Sequence, residues 1–361
     1  MNNKQKEFRL ITDDRRLREF CGRIEKAATV AIDTEFVREK TYYPQLCLVQ
    51  IACDEAIGAV DCLADLDLAQ LFETLHANDR IWVLHSARQD LEVLFYLTEQ
   101  SPSGLIDTQI AAALVGFPLQ IGLKGLAKEV LDIDIAKEHT RTDWSRRPLP
   151  EAALDYALDD VRYLPALWAE LRRRLNDLER LTWFEEDCDR LLKLPVQPPV
   201  ASILERTKGA GALRGKRRAA ALALLDWREA KAQSKNLPRR WILPDDQLVA
   251  IASRLPTTPA DLDSIPDLPQ RLKSRHGKSL LAALEAAPLP GADPASASSP
   301  DKTVVKAMQA SVRARAEALG IESEVLATRR DISAAAQGLT PDAFASGWRS
   351  VLLADLVNPA D

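Results

Sequence analysis

Residues Ala31 to Phe36 read Ala-Ile-Asp-Thr-Glu-Phe, an apolar run that ends in two carboxylates two positions apart. On a strand, side chains at i and i+2 project to the same side, so Asp33 and Glu35 can face one point in space. Like charges held there repel unless a proton or a cation lies between them. An isolated Asp-x-Glu is most simply a solvated strand end, and it gains weight only if further acids downstream can join it.

Two further segments supply acids. At Val83-Leu-His-Ser-Ala-Arg-Gln-Asp-Leu91 a strand passes into a helix, with Ser86 expected as its N-cap and Asp90 in its first turns. Ligands of open α/β sheets gather at the carboxyl ends of strands. If the strand at Asp33 and the strand at 81–84 are parallel neighbours, Asp90 joins the pair; complementarity to the helix dipole is its alternative role. Between Pro150 and Leu164, Leu154, Leu158 and Val161 mark an apolar helix face, while Tyr156 and Asp160, at i and i+4, share another. The alternative here is a surface Tyr-Asp pair, but of the five tyrosines only Tyr156 has an acid four residues later.

Together Asp33, Glu35, Asp90 and Asp160 offer up to four negative charges, which two divalent ions would balance. Oxygen-only ligation suits Mg²⁺ or Mn²⁺ rather than zinc. Two such ions about 4 Å apart can activate a water, stabilise the reacting phosphorus and accept the leaving 3′ oxygen of a phosphodiester. Tyr156 would orient or deprotonate that water.

In this order, Asp-x-Glu, an aspartate in a helix after a strand, then Tyr-x-x-x-Asp resembles the DEDD superfamily of 3′→5′ exonucleases in its tyrosine subclass. The histidine subclass would place His at 155, where the chain has Asp. The runs from Glu35 to Ile51, Ile106-Asp-Thr-Gln-Ile-Ala-Ala-Ala113 and Arg141-Thr-Asp-Trp-Ser-Arg-Arg-Pro-Leu149 resemble the bacterial ribonuclease D family, collinearly over about residues 8–190. The resemblance implies a ribonuclease H-like α/β exonuclease domain, with metal ligands at Asp33, Glu35, Asp90 and Asp160 and a water-positioning Tyr156. Around them, Gln50 and His85 either touch substrate or serve the core or a strand end. Asp107 either supports the site from behind or caps the next segment. Arg141, Arg146 and Arg147 either hold phosphates or form a solvated loop.

The elements that must position these groups can be read in outline. Short apolar runs at 29–33, 45–52 and 56–60 suit an antiparallel meander. A helix over 66–75, a strand at 81–84, a helix to about Leu97 and a short strand at 105–106 extend it into a mixed sheet with flanking helices. Prolines at 195–199 and a Pro/Ser/Ala/Gly tract at 288–300 mark linkers. The expected domains are therefore an exonuclease domain at 1–194, a linker at 195–204, a small all-α domain at 205–287, a linker at 288–300 and a second at 301–361. Lys278-Ser-Leu-Leu-Ala282 echoes Arg349-Ser-Val-Leu-Leu353, and Leu248-Val-Ala-Ile-Ala252 echoes Asp331-Ile-Ser-Ala-Ala335, as a duplicated helical unit would.

The chain has 361 residues, 46% hydrophobic and 28% charged, enough to bury a real core and long enough for two or three domains. Its first ten residues lack the apolar core of a secretory signal or anchor, and its longest apolar stretches are too short to span a bilayer. Five cysteines without a Cys-x-x-Cys pair suit reduced thiols in a cytoplasm. A net charge of −5 argues superficially against nucleic acid. It conceals a stretch from Arg206 to Arg240 with eleven Lys and Arg, among them Lys216, Arg217 and Arg218, against Asp226 and Glu229; this stretch carries +9 and the remainder −14. Trp227 and Trp241 within it are expected to anchor a small helical core, with base stacking as the alternative.

Leu224-Leu-Asp-Trp-Arg-Glu-Ala230, Leu237-Pro-Arg-Arg-Trp-Ile-Leu-Pro-Asp-Asp246 and Arg275-His-Gly-Lys-Ser-Leu-Leu281 resemble an HRDC domain, a helical nucleic-acid-binding module, and 301–361 resembles a divergent second copy. Gly277-Lys278-Ser279 is not a phosphate-binding loop, because position 272 is Leu. The expectation is a metal-dependent 3′→5′ exoribonuclease that trims tRNA precursors and other small stable RNAs with single-stranded 3′ ends, releasing nucleoside 5′-monophosphates, as a cytoplasmic monomer. A DNA exonuclease of the same superfamily is the alternative, against which the lack of a polymerase or helicase region counts. A non-catalytic RNA-binding adaptor is the other, against which the presence of all five site residues counts.

Overall fold

A computed structural model describes residues 5–135, 142–288 and 300–357. They form two compact units. One contains the chain through Val37, Leu46–Leu194 and the described residues from 300 onward; the other contains Arg38–Gln45 and the chain from Pro195 through residue 288.

The first unit is built on a six-stranded sheet of β1 (Lys6–Ile11), β2 (Thr29–Val37), β3 (Gln45–Ala52), β4 (Ala56–Asp61), β5 (Ile81–Leu84) and β6 (Gly104–Asp107), in the order β1-β4-β3-β2-β5-β6. β3 and β4 are antiparallel, with Gln50 opposite Ala59, whereas β2 and β5, β5 and β6, and β1 and β4 run parallel. The sheet is mixed, as the sequence suggests, and the side-by-side parallel run of β2 and β5 that Asp90 requires is present. Every residue of β3 but the first is buried, because a central strand covered on both faces must read as one apolar run.

β1 escaped the sequence reading for a physical reason. Its pairing with β4 shifts register between Glu7 and Arg9, and Arg9 has φ 50°. The irregularity breaks the two-residue period, so Phe8 and Ile11, three apart, are the residues that are buried.

Helices α1 (Asp14–Ile24), α2 (Leu68–His76), α3 (Arg88–Thr98), α4 (Thr108–Leu114), α5 (Leu123–Leu131), α6 (Glu151–Arg162), α7 (Leu164–Asp177) and α8 (Leu181–Lys193) surround the sheet. The second unit holds α9 (Val200–Arg206), α10 (Gly215–Lys235), α11 (Arg239–Ile242), α12 (Asp245–Arg254), α13 (Pro259–Asp263) and α14 (Gln270–Glu285) around its own core, which includes Leu224, Leu248, Ile251 and Leu280. The last segment forms α15 (Lys302–Leu319), α16 (Ser323–Leu326), α17 (Arg329–Ala335), α18 (Asp342–Ala345) and α19 (Gly347–Val357).

This last segment packs within the first unit. The Trp183 and Trp348 rings stack 4.4 Å apart, and Arg349 forks onto the buried carboxylate of Asp187. Gly347 sits there at φ 76°, a left-handed backbone conformation that a residue with a Cβ adopts only with strain. No described helix is long and apolar enough to cross a membrane, and no disulfide joins the five cysteines.

Candidate active site

β2 continues well past its pairing with β5, whose register runs from Thr29 to Ala31, and the extension carries Asp33 and Glu35. α6 brings Asp160 to the same place. Carboxylate oxygens of Asp33, Glu35 and Asp160 all lie within 4.8 Å of one another, and each residue is half-buried. Asp90, in the first turn of α3, is 7% exposed. Its Oδ1 accepts from the backbone N–H of Thr34 at 3.1 Å and from the Thr34 hydroxyl at 2.5 Å.

The electrostatics show what such packing costs. Burial, then the charges of Asp90, Asp160 and Glu35, holds the Asp33 carboxyl well above the ordinary aspartate range. Burial, together with the Asp160 and Asp90 charges, pushes Glu35 up to about 8. Asp90 rises to about 6, burial outweighing the two Thr34 hydrogen bonds that favour its anion. Tyr156 donates its hydroxyl to Asp160 and lies beside Trp144, with ring centroids 6.3 Å apart. Burial and the Asp160, Glu35 and Asp33 charges raise its pKa, so the phenol stays protonated at neutral pH.

Carboxylates this close, and this reluctant to ionise together, call for a counter-charge. An all-oxygen donor set of hard anions fits a divalent cation. The acidic cluster of this fold points to divalent-metal use.

Several groups suggested by the sequence are engaged elsewhere. His85 places Nε2 2.9 Å from the Ile121 carbonyl and Nδ1 2.9 Å from the Thr108 hydroxyl. Burial keeps the ring neutral, so Nε2 donates and the imidazole ties the residue-121 loop to the end of β5. Arg147 forks onto Asp61 at 2.6 Å through Nε and one terminal nitrogen, and its remaining N–H groups reach the carbonyls of Cys47, Trp144 and Arg146. It braces the sheet instead of facing outward to a phosphate. Gln50 is fully buried on β3 and its amide makes no hydrogen bond among the described residues, so it is closed off from solvent. Arg146 is exposed. Arg141 lies outside the described residues.

Ser86 does not cap α3. It sits at φ 63°, and the first N–H groups of the helix entry are taken by Asp107. That one carboxylate, 3% exposed, accepts from Ser86 N (3.0 Å), Ala87 N (2.8 Å) and Gln109 N (2.9 Å). It therefore caps α4, one of the two roles its position suggested, and holds the entry to α3. Thr34 was missed altogether. The available signal was its place between two acids on a strand: its side chain must point to the opposite face, where it needs a polar partner.

In the second unit, Lys216 and Arg217 are exposed and Arg218 is half-buried, in the first turn of α10. With Arg214, Lys216 and Arg217 border a surface cavity of about 490 Å³. Other cations of the basic stretch are paired within the fold, Arg228 with Asp245 and Arg239 with Glu229. Trp227 packs into the core, but Trp241 is 62% exposed, against expectation. α11 is a single short turn, too brief to turn both the Ile242 and Trp241 side chains inward.

Comparison with known proteins places the chain among nucleases. Residues 8–176 match the 3′-5′ exonuclease family and residues 217–284 the HRDC domain family. Ribonuclease D of Xanthomonas oryzae is 38% identical over 94% of this chain and 96% of its own length. Ribonuclease D of Sphingobium indicum is 34% identical over 94% and 91%. The crystal structure of Escherichia coli RNase D, described as an exoribonuclease involved in structured RNA processing, superposes with a TM-score of 0.81 at 31% identity, covering 97% of each chain.

Proposed function

The chain belongs to the ribonuclease D family, a 3′→5′ exoribonuclease of the hydrolase class, and from that premise we propose that it trims the 3′ ends of tRNA precursors and other small stable RNAs. The products of this reaction are nucleoside 5′-monophosphates. The observation that carries the reading is the convergence of Asp33, Glu35 and Asp160, with Tyr156 hydrogen-bonded to Asp160.

Asp33, Glu35, Asp90 and Asp160 are the residues that would hold two divalent ions, Mg²⁺ or Mn²⁺. When bound, such ions supply a positive charge that offsets the carboxylates, polarises water and stabilises the developing charge on phosphate. Tyr156, protonated across neutral pH, orients the attacking water by hydrogen bonding and is not its base. Asp107 and Thr34 keep Asp90 in place.

RNA contact is assigned to the basic first turn of α10. Lys216, Arg217 and Arg218 stand there with no acid in the turn and no side-chain cap, at the end of a helix where cations are unfavourable. A polyanion removes that conflict. The two helical segments also support a duplicated HRDC-type module. Each runs long, very short, medium, short, long: 21, 4, 10, 5 and 16 residues for α10–α14 against 18, 4, 7, 4 and 11 for α15–α19. The sequence echoes fall on the third and fifth helices of each set. A cytoplasmic monomer completes the proposal.

The test is digestion of a 5′-labelled tRNA precursor bearing a 3′ trailer, beside DNA of the same sequence, with Mg²⁺, Mn²⁺ or EDTA. Stepwise loss from the RNA 3′ end with release of 5′-monophosphates supports the reading. Preference for DNA, or binding without cleavage, overturns it.

A further inference from the structure

The cations of the helical unit do not end with α10. α14 begins Gln-Arg-Leu-Lys-Ser-Arg-His-Gly-Lys, four cations in nine residues, and its one carboxylate, Glu285, is its last residue. Arg271, Arg275 and Lys278, at i, i+4 and i+7, are all exposed and form one ridge along two turns of the helix. Among the described residues the ion pairs of this unit engage Arg228, Arg239, Arg240 and Lys273, so no carboxylate pairs with the ridge. Like charges at this spacing repel, and the amino end of a helix, where the ridge begins, favours anions.

α10 adds two more charges beside it. Lys231 is half-buried and Lys235 exposed, and both act with Arg275 on His276, a buried imidazole that meets Trp227 edge-on with ring centroids 5.3 Å apart. Burial, then the charges of Arg275, Lys235 and Lys231, lower the His276 pKa, and no carboxylate is among the groups acting on it. Next to the ridge, α13 and α14 line a groove of about 370 Å³. Leu262 and Gly277 are its buried floor, and Lys273, Ser274, Arg275 and Lys278 stand along its α14 side. Asp263, across from them, is paired with Lys273 at 3.3 Å, which leaves Arg275 and Lys278 uncompensated.

These cations lie at the opposite end of α10 from Lys216. From Lys216 to Lys235 the helix rises about 28 Å, at 1.5 Å per residue. One phosphate or one acidic side chain satisfies a single cation, whereas cations repeated along a ridge and found again at the far end of the same helix suit a chain of regularly spaced anions. The apolar floor of the groove beside the ridge suits a ribose or an unpaired base. We propose that Arg271, Arg275 and Lys278, with Lys231 and Lys235, form a second contact for the backbone of single-stranded RNA, separate from the first turn of α10. It rests on the reading of the helical unit as an RNA-binding module.

The test replaces Arg271, Arg275 and Lys278 together by Gln in the full-length protein. Glutamine is as good a helix former as the residues it replaces, and the change relieves like-charge repulsion, so thermal melts should show an unchanged or raised Tm. Binding of a fluorescent, unstructured RNA long enough to reach both ends of α10 is followed by anisotropy in EDTA over a salt series. The slope of log affinity against log salt is expected to fall by about 2, at roughly 0.7 per single-strand phosphate contact, and by about 4 when Lys216, Arg217 and Arg218 are also replaced by Ala. Should the ridge variant fold poorly, Lys231→Gln with Lys235→Gln, on the other helix, is expected to lower the slope by about 1.4 on the same basis. A wild-type slope in the folded ridge variant, with the α10 variant lowered, overturns the proposal and leaves the RNA-binding reading standing. Loss of polyglutamate binding with RNA binding intact also overturns it, since the ridge would then serve an acidic protein segment. If the ridge and α10 variants both keep the wild-type slope, the RNA-binding reading itself fails, and the second contact with it.

Discussion

Asp90 accepts two hydrogen bonds from a single residue, Thr34, which stands between Asp33 and Glu35. The second acidic segment is thus tied to the first by a backbone N–H and a hydroxyl of the same threonine, 56 residues away in sequence. This link orients Asp90 and lowers its carboxyl pKa against the burial that raises it.

Thr34→Val, nearly isosteric, removes the hydroxyl and keeps the backbone bond. Hydrogen bonds to charged groups are worth roughly 1.5–3 kcal/mol. Asp90 should then ionise at higher pH, so the acid limb of the activity profile moves upward and more metal is needed for half activity. Rate–pH profiles at several Mn²⁺ concentrations check this; an unmoved acid limb would separate Thr34 from the site.

Asp107→Ala strands three backbone donors at the entries to α3 and α4. A fully buried donor left without a partner costs about 1–3 kcal/mol, and only Ala87 N is fully buried while Ser86 N and Gln109 N are part-buried, so the whole change should lower unfolding free energy by about 2–4 kcal/mol. Urea denaturation measures it. Below its melting temperature the folded variant should also turn over more slowly, because Asp90 rides on α3.

The pH dependence of stability has a definite sign. Glu35 and Asp90 have folded-state pKa values raised to about 8 and about 6, from ordinary values of 4.5 and 3.8, and Asp33 is raised well above 3.8. Between those limits the folded chain holds protons that the unfolded chain has released, so stability falls as pH rises. In EDTA the unfolding free energy should decline through the window from about pH 4.5 to about pH 8 that Glu35 sets. Excess Mg²⁺ should flatten or reverse the decline. Denaturant melts across that range, with and without metal, read it directly; a metal-free stability that climbs through the window would contradict the acidic cluster's electrostatics.

Replacing Lys216, Arg217 and Arg218 together by Ala should reduce the slope of log affinity against log salt by about 2, at roughly 0.7 per single-strand phosphate contact. Single-turnover trimming of RNA already bound should hardly change. Fluorescence anisotropy over a salt series measures the slope, and an unaltered slope would move RNA contact elsewhere on the chain.

The sequence made the site's chemistry legible because the decisive facts were local: two acids at strand spacing, a tyrosine and an aspartate one helical turn apart. The parallel pairing of β2 with β5 was consistent with the order of apolar runs. What stayed hidden depended on non-local geometry. Phe8 and Ile11 lie on a strand whose register shift erases its period. The roles of His85 and Arg147 stayed open between substrate contact and structure because their partners, Ile121 and Asp61, lie 36 and 86 residues away. Trp241 was expected inside by its type, yet the brief turn of α11 leaves it outside. The hydrogen bond from the Tyr42 backbone N–H to Asn236 Oδ1 spans 194 residues, and no motif announces it.

The central claim is that Asp33, Glu35, Asp90 and Asp160 hold the metal that hydrolyses RNA from its 3′ end. Its most direct measurement is trimming of a 5′-labelled RNA by wild type and by Asp33→Asn, with Mn²⁺ in excess and RNA binding monitored in parallel. The account expects a ladder shortening from the 3′ end for the wild type, abolished by EDTA, and a folded Asp33→Asn variant that binds RNA but trims at least about a hundredfold more slowly. Asp33→Asn trimming at the wild-type rate would contradict it.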